Sequence, residues 1–205
     1  MQRKLCQLSF ADGLVSGAQN FLSEAEEFLD WDEIASELSG IYSSGTGRPS
    51  YPLLVLFKTL LLQQWYGLSD PGMEEALSDR ISFRRFVGLS LSDPVPDHST
   101  ISRFRTKLGD RYERLLSTLN GQIESRGLLI KQGTMLDASF VPAASKKKSV
   151  DPEAGSYGRY PEKGSSGYKM HASVDRKTGI VRRVIVTPAN INDATPADAL
   201  IMGDE

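Results

Sequence analysis

The chain has 205 residues, a length that allows one or two globular domains with a buried core. Its single cysteine, Cys6, excludes an internal disulfide framework and fits a reducing cytoplasm, where we expect the protein to reside. Residues 1–10 lack the pattern of a secretory signal, and the longest apolar run, Leu53–Leu62, is too short to span a bilayer. The sequence therefore predicts an ordinary soluble globular protein with no membrane partner.

The net charge of −2 hides a strong polarity along the chain. Residues 1–50 contain three Lys or Arg against eight Asp or Glu, a net charge of −5. Residues 75–185 contain twenty Lys or Arg against twelve Asp or Glu, a net charge of +8. The basic part is the candidate surface for a polyanion, and the alternative is a solvated face that binds nothing.

The first part of the chain has the periodicity of helices. Residues 18–38 place apolar side chains at helical spacing with acids between them, which predicts a pair of helices with an acidic outer face. After a linker of small residues, Ser43–Arg48, Ser50 can cap a helix that runs through Trp65 and ends at Gly67. That helix is apolar nearly all round, which predicts burial against several neighbours.

Two shorter features follow. Asp70 and Pro71 predict the start of a further helix, because a proline in the first turn removes an N–H that has no partner there. A short basic and aromatic stretch, residues 80–87, ends at Gly88. Asp93–Asp97 is predicted to be a rigid turn, because each of its prolines fixes its own φ and restricts the residue before it.

The most informative helix is predicted to run unbroken over Ser99–Arg126. Its apolar positions recur every three or four residues, and its basic positions repeat with the same period. One face is therefore expected to pack while an adjacent face is cationic. The basic positions are Arg103, Lys107, Arg111 and Arg114.

After residue 127 the period changes from that of a helix to that of strands. The three predicted strands are Thr134–Val141, Tyr168–Asp175 and Ile180–Thr187. The first is apolar enough to be central in a sheet, and Ala143–Gly167 is predicted to be a loop. Thr195 and Pro196 resemble the cap and first turn of another helix. The order of elements predicts an α+β fold, with an all-helical N-terminal domain over residues 1–126 and a second domain over residues 127–205.

Residues 97–105 have the chemistry of a DNA-reading element. Serine and threonine at a helix start can offer hydroxyl and N–H groups to phosphate, while arginines further on can reach phosphates or guanine edges. A preceding helix and a tight turn are what a helix-turn-helix needs. The alternative is an ordinary amphipathic helix with a solvated basic edge. The candidate DNA-binding residues are Arg84, Arg85, His98, Ser99, Thr100, Arg103, Arg105, Lys107 and Arg111, with the loop cations Lys146, Lys147 and Lys148.

Asp137 is a carboxylate in the middle of an apolar strand, where burial is costly unless a cation pairs with it. Two-metal nucleases hold Mg²⁺ with clustered carboxylates, so Asp137 is the candidate catalytic and metal-binding residue. A salt-bridged or strand-edge aspartate is the alternative. His171, on the second predicted strand, is a ligand or, more simply, structural. Asp193 is a second carboxylate near the sheet or, as we favour, a helix cap.

Taken together, these residues resemble the DDE transposases of bacterial insertion sequences, in the insertion-sequence-five group. The resemblance covers nearly the whole chain from about residue 47. The stretches that carry it, in chain order, are Gly47–Pro49, Leu53–Trp65, Gln63–Pro71, Ser82–Phe86, Pro94–Arg105, Leu136–Ser139, Gly167–His171 and Thr187–Asn190.

The resemblance implies a helical N-terminal domain that helps to recognise the element's terminal repeats in double-stranded DNA. It also implies an RNase H-like α/β catalytic domain whose first strand carries the first of three metal-binding carboxylates, by position Asp137. In the family, two metal ions, expected to be Mg²⁺, support hydrolysis at the element's end, and the freed 3′-hydroxyl then attacks target DNA. A second copy of the chain or the full-length transposase is a candidate partner.

The sequence departs from the family pattern after its first carboxylate. The family's second aspartate lies in an Ala-Asp-x-Gly-Tyr context and its glutamate lies on a later helix, and neither motif occurs before Glu205. We therefore expect a truncated transposase with only the first three strands of its catalytic domain, which does not bind Mg²⁺ productively or cut DNA by itself. The alternative function is a non-catalytic DNA-binding module that inhibits the full-length transposase, and an inactive remnant is a third possibility.

Overall fold

The computed structural model describes residues 21–42, 49–109, 111–128, 133–143, 151, 153–157 and 165–201. The chain divides into two compact units, Met1–Thr118 and Leu119–Glu205, called below the helical unit and the sheet unit. The described part of the first is built of helices and the second contains an antiparallel sheet, so the predicted α+β class is confirmed. Among the described residues, no helix is both long and apolar enough to cross a membrane.

The helical unit begins with the predicted pair of helices, α1 over Phe21–Phe28 and α2 over Trp31–Leu38. Asp30 caps α2, since its carboxylate accepts hydrogen bonds from the backbone N–H groups of Asp32 and Glu33 at 3.1 and 3.2 Å. We call α1 and α2 together the acidic hairpin. The predicted linker Ser43–Arg48 lies outside the described residues.

Helix α3, Leu53–Tyr66, is the core helix of the helical unit and is buried on most sides, as its apolar sequence predicted. Even Lys58 is buried, with its Nζ 2.6 Å from Oε1 of Glu26 and 4.1 Å from the ring centroid of Trp31. Burial lowers the pKa of Lys58, and the Glu26 carboxylate opposes that shift. The ammonium therefore attaches the acidic hairpin to the core.

The ends of α3 agree only partly with the sequence. Gly67 adopts a left-handed conformation, φ 62°, and its N–H closes the helix as predicted. The predicted cap at Ser50 is wrong, because Pro52 occupies the cap position and makes no side-chain cap bond. Tyr51, between them, is instead tied elsewhere, since its hydroxyl donates to the Val95 carbonyl at 2.8 Å.

Two short helices follow, α4 over Asp70–Asp79 and α5 over Ile81–Val87. Ser69 caps α4, with its hydroxyl accepting from the N–H of Gly72 at 3.2 Å. Gly88, φ 83°, ends α5 in the left-handed conformation.

The predicted long helix is wrong in one respect, because it is two helices: α6 over His98–Leu108 and α7 over Arg111–Ser125. The break lies at Gly109, whose φ of 35° and ψ of −121° are far from helical values. The apolar spacing continues across this glycine, so periodicity alone did not reveal the break. The side chains of Ile101, Phe104 and Leu108 are fully buried, which confirms the predicted packing face of α6.

The sheet unit contains four strands: β1 over Thr134–Pro142, β2 over Gly155–Tyr157, β3 over Ser165–Asp175 and β4 over Val181–Pro188. All pairs are antiparallel, and β3 lies between β1 on one side and β4 on the other. The short β2 pairs with the first residues of β3, beyond the point where β4 ends at Pro188. A short helix, α8 over Ala197–Leu200, completes the described chain.

Two expectations for the sheet are corrected. Strand β1 was predicted to be central, but among the described residues it pairs only with β3 and its side chains are mostly exposed. Part of the predicted loop, residues 143–167, is also wrong, because β2 and the start of β3 lie within it. Tyr168 helps to hold this segment, since its hydroxyl lies 2.5 Å from Oδ1 of Asp151.

Candidate nucleic-acid interface

The start of α6, predicted to receive phosphate, already carries two carboxylates. Asp97 caps the helix, with its Oδ1 accepting from the Thr100 N–H at 2.7 Å and from the Ser99 hydroxyl at 2.6 Å. Glu74 of α4 reaches the same turn, where its Oε2 lies 2.8 Å from both the backbone nitrogen and Nδ1 of His98. The donor groups of this turn are therefore already used in hydrogen bonds to the carboxylates of Asp97 and Glu74.

The pKa values of these two carboxyl groups reflect the same arrangement. The Ser99 hydroxyl and the Thr100 N–H lower the pKa of Asp97 to about 2. The His98 backbone N–H, followed by its ring, lowers the pKa of Glu74. Both carboxyl groups are ionised at neutral pH and face the positive end of the helix dipole, so a phosphate at this place would meet negative charge. The structure does not support His98, Ser99 and Thr100 as a phosphate-binding turn.

Arg105 is held inside the helical unit. Its guanidinium makes a two-pronged ion pair with Asp70 of α4, and its Nη2 donates to Oε1 of Gln63 at 2.6 Å. Gln63 in turn donates to Asp70 at 2.7 Å. The hydrogen bond from Arg105 lowers the pKa of Asp70, and Asp70 raises the pKa of Arg105. These three side chains fasten α6 to α3 and α4.

Arg84 is also structural. Its side chain is buried, and its guanidinium donates to the carbonyl oxygens of Leu77, Ser90, Leu91 and Asp93, with Nη2 2.7 Å from Ser90 and 2.6 Å from Asp93. Its prediction as a DNA contact is therefore wrong, because burial removes the guanidinium from any ligand. The bonds instead hold the chain between α5 and α6, residues 88–97, around the arginine. This ten-residue connection is longer than the turn of three or four residues in a helix-turn-helix.

Arg111 and Lys107 contact the end of the acidic hairpin. Arg111 donates from Nη1 to the carbonyl oxygens of Glu37 and Ser39 at 2.8 and 2.5 Å. Lys107 remains exposed, with its Nζ 4.6 Å from the centroid of the Tyr42 ring. Arg111 thus closes the last turn of α2, while Lys107 keeps its charge at the surface.

An exposed polar row remains on α6. Arg103 and Lys107 are four residues apart, so their side chains lie on one face of the helix, and both are exposed. Ser102 and Thr106 are exposed beside them. We call these four residues the α6 row. Arg85 is also exposed on α5, whereas the predicted contacts Lys146, Lys147 and Lys148 lie outside the described residues.

Asp137 lies on the exposed face of β1 and accepts a hydrogen bond from the N–H of Ala138 at 2.8 Å. It pairs across the sheet with Ala172, while its neighbour Ala138 pairs with His171. No group of three or more His, Cys, Asp or Glu residues within the described ranges could hold a metal ion. The donors that the structure describes around Asp137 therefore do not fit the two-metal centre that the family resemblance implied.

The other polar residues predicted near the sheet have partners of their own. His171 is buried, and its Nε2 lies 2.8 Å from the Thr187 hydroxyl of β4, which supports the structural interpretation. Asp193 was favoured as a helix cap, and this is wrong. Its carboxylate accepts from Nζ of Lys169 at 2.7 Å, and Pro196 occupies the cap position of α8.

Sequence analysis missed the roles of the acids on α4. Asp70 was predicted only to start a helix, and nothing in the spacing of Asp70 and Glu74 assigns them to Arg105 and His98, 35 and 24 residues further on. The sequence does show that α4 carries acidic side chains and α6 carries basic ones. This charge pattern allows pairing between the two helices, but it does not show which residues pair.

The comparison with known families agrees with this architecture. A transposase domain (DUF772) matches residues 9–107, and a transposase DDE domain matches residues 129–203. No solved structure matches the chain. The chain belongs to the DDE transposases of insertion sequences, a family that acts in the transposition of mobile elements and uses divalent metal ions.

Proposed function

We propose that this chain binds double-stranded DNA at the terminal repeats of an insertion sequence, and that it does so through the α6 row. The observation that carries the proposal is the exposure of Arg103 and Lys107 on one helix face in a chain of transposase family. Phosphate contacts from such cations supply most of the affinity for DNA, while a helix face between them can reach base edges. Arg85 is a further candidate contact, and we retain the loop cations Lys146, Lys147 and Lys148 as predicted contacts.

The contacts of the neighbouring arginines support this assignment. Arg105 and Arg111 are committed to Asp70 and to the end of α2, which fixes the rotation of α6 and the start of α7. Because α6 cannot turn, Arg103 and Lys107 stay on the outer surface. We therefore divide the predicted contacts into two groups. Arg105 and Arg111 position α6, and Arg103 and Lys107 face the DNA.

The test is a binding measurement on the 205-residue chain with the terminal repeat and a scrambled duplex, at several salt concentrations. Arg103→Ala and Lys107→Ala should each weaken binding to both duplexes and lower the salt dependence by about one phosphate contact. Lys177→Ala removes the same charge from an exposed position in the sheet unit and is the matched control. Equal losses in all three variants would contradict the assignment to α6.

For the sheet unit we propose the start of an RNase H-like fold, with Asp137 as the position of the first metal-binding carboxylate. Since the described residues form no group of three or more potential metal ligands, we expect no cutting by this polypeptide alone. Mg²⁺-dependent nicking that disappears in Asp137→Ala would overturn this expectation, and Asp193→Asn is the control of equal charge.

The lack of a group of three potential metal ligands among the described residues favours a second candidate, a non-catalytic DNA-binding module that inhibits the full-length transposase. In a mixture of the two proteins with repeat DNA, this chain should reduce cleavage, and the Arg103→Ala/Lys107→Ala variant should not. Cleavage that rises on addition of the chain would contradict inhibition.

A further inference from the structure

The acidic hairpin ends beside the DNA-facing side of α6. The last turn of α2 presents the carbonyl oxygens of Glu37 and Ser39 to Arg111, and Tyr42 lies under the ammonium of Lys107. Helix-terminal carbonyls carry partial negative charge, so this end of the hairpin attracts cations. One of the two cations that it contacts, Lys107, belongs to the α6 row.

The hairpin brings more negative charge than these carbonyls. Residues 21–38 contain seven carboxylates and no lysine or arginine. Glu26 pairs with the buried Lys58. Several of the others are exposed to solvent: Glu24, Glu27, Asp32 and Glu33. Their negative charge is therefore not buried in the fold, and it can act through solvent on an approaching duplex.

The acidic hairpin is packed firmly against the rest of the helical unit. Ile34 and Leu38 of α2 are fully buried, and Leu22 of α1 is buried as well. The ring of Phe21 contacts that of Trp65 edge to face, with centroids 4.9 Å apart. Burial of these side chains fixes the hairpin, so its charge stays in one place relative to α6.

We infer that the acidic hairpin is a fixed electrostatic guard that limits the affinity of the α6 row for DNA. The inference rests on the DNA-binding function proposed above. Phosphates that approach Lys107 from the side of Tyr42 come to the end of the acidic hairpin, which carries net negative charge. Because non-specific binding depends mostly on phosphate contacts, the guard weakens binding to any duplex while it leaves base contacts unchanged.

The first test neutralises the guard without altering its shape. The double substitution Glu33→Gln/Glu37→Gln removes two charges one helical turn apart on α2. We expect affinity for a scrambled duplex to rise about threefold to tenfold at about 50 mM salt and to differ less than about twofold at about 0.5 M salt, where screening is nearly complete. Glu153→Gln/Asp198→Asn removes two exposed acids from the sheet unit and is the control of equal charge.

The second test concerns Lys107 itself. Tyr42→Leu removes the ring beneath the ammonium, and we expect about a twofold gain in affinity with a salt dependence that is larger by up to one phosphate contact. A change limited to folding would not alter that salt dependence. Tyr66→Leu, an exposed tyrosine at the end of α3, is the matched control.

The outcomes separate the two proposals. If the unchanged chain and every variant fail to bind DNA, the proposed function is wrong. If the chain binds DNA, but Glu33→Gln/Glu37→Gln behaves like the sheet-unit control, the guard is wrong and the DNA-binding function stands.

Discussion

In the helical unit, two acids of α4 are paired with side chains of α6, Asp70 with Arg105 and Glu74 with the His98 ring. In the sheet unit, Asp137 lies on β1, which pairs only with β3 among the described residues, and it accepts a hydrogen bond from the amide of the next residue. In the helical unit, these acids therefore find their partners within the described residues of the same unit. The sheet unit presents a carboxylate whose predicted chemistry needs ligands that the described residues do not provide.

This difference follows from how the two kinds of structure bring residues together. Helices that pack against each other place side chains from several turns within reach, so acids and bases far apart in sequence can form pairs. An edge strand has a partner on one side only, and the exposed side chains on its face meet solvent. The comparison predicts that substitutions of buried or paired side chains in the helical unit act mainly on folding, whereas substitutions in the exposed α6 row act mainly on DNA binding.

The largest expected effect is at Arg84. Arg84→Met removes the donor from four carbonyl oxygens, three of them in buried hydrogen bonds, and should lower the free energy of unfolding by about 3–5 kcal/mol. The measurement is urea unfolding followed by tryptophan fluorescence. Both tryptophans of the chain, Trp31 and Trp65, lie in the helical unit, so the signal reports on that unit.

Arg103→Met is the matched control, because it removes the same charge from an exposed position. It should change the free energy of unfolding by less than about 0.5 kcal/mol while it weakens DNA binding. Equal stability losses for the two variants would break the division of the arginines into structural and DNA-facing groups.

Much of the helical unit could be predicted from the sequence, because its signals are local. The apolar run of α3, the glycine at residue 67 and the acids of the hairpin each indicate their own structure within a few residues. The roles of the arginines could not be predicted, because Arg84, Arg103 and Arg105 have the same chemistry, and their partners come from other elements. Burial alone distinguishes Arg84 from Arg103.

The sheet was predicted less completely for a similar reason. Alternation located β1, β3 and β4, but it could not order them, since pairing depends on contacts between distant segments. The apolar character of β1 suggested a central strand, whereas its outer edge is unpaired among the described residues. The sequence indicated Asp137 as the candidate carboxylate, but it could not indicate which residues surround it.

The next largest effect is expected at the break between α6 and α7. Gly109 has φ 35° and ψ −121°, a conformation that strains any residue with a Cβ, so Gly109→Ala should cost about 1–3 kcal/mol. Gly121→Ala, in the middle of α7 with open space around the added methyl, should instead stabilise by about 0.5–1 kcal/mol. Thermal unfolding by circular dichroism measures both. A stabilised Gly109→Ala would mean that the two helices can join.

A smaller effect that depends on pH is expected at Asp97. Asp97→Ala removes the cap of α6 and should cost about 1 kcal/mol at neutral pH. The folded-state pKa of Asp97, about 2, lies below its ordinary value of 3.8, so the carboxylate stabilises the fold above pH 4 and loses this contribution as the pH falls toward 2. Unfolding curves of both proteins should therefore converge between these pH values. A difference that persists at pH 2 would show that the cap acts without its charge.

The smallest effect is expected in the sheet unit and concerns ionisation. The hydrogen bond from Tyr168 to Asp151 raises the pKa of the phenol from 10.0 to about 12, because the ionised phenolate would face a carboxylate. At pH 11, roughly a tenth of Tyr168 should be ionised, against about nine tenths once Asp151→Asn restores an ordinary pKa. The ultraviolet difference spectrum against Tyr168→Phe isolates this residue among the seven tyrosines of the chain. A normal pKa in the unchanged chain would mean that Asp151 does not hold the segment before β2 against β3. The pair of Tyr168 and Asp151 would then not contribute to the sheet unit in the way that paired side chains contribute to the helical unit.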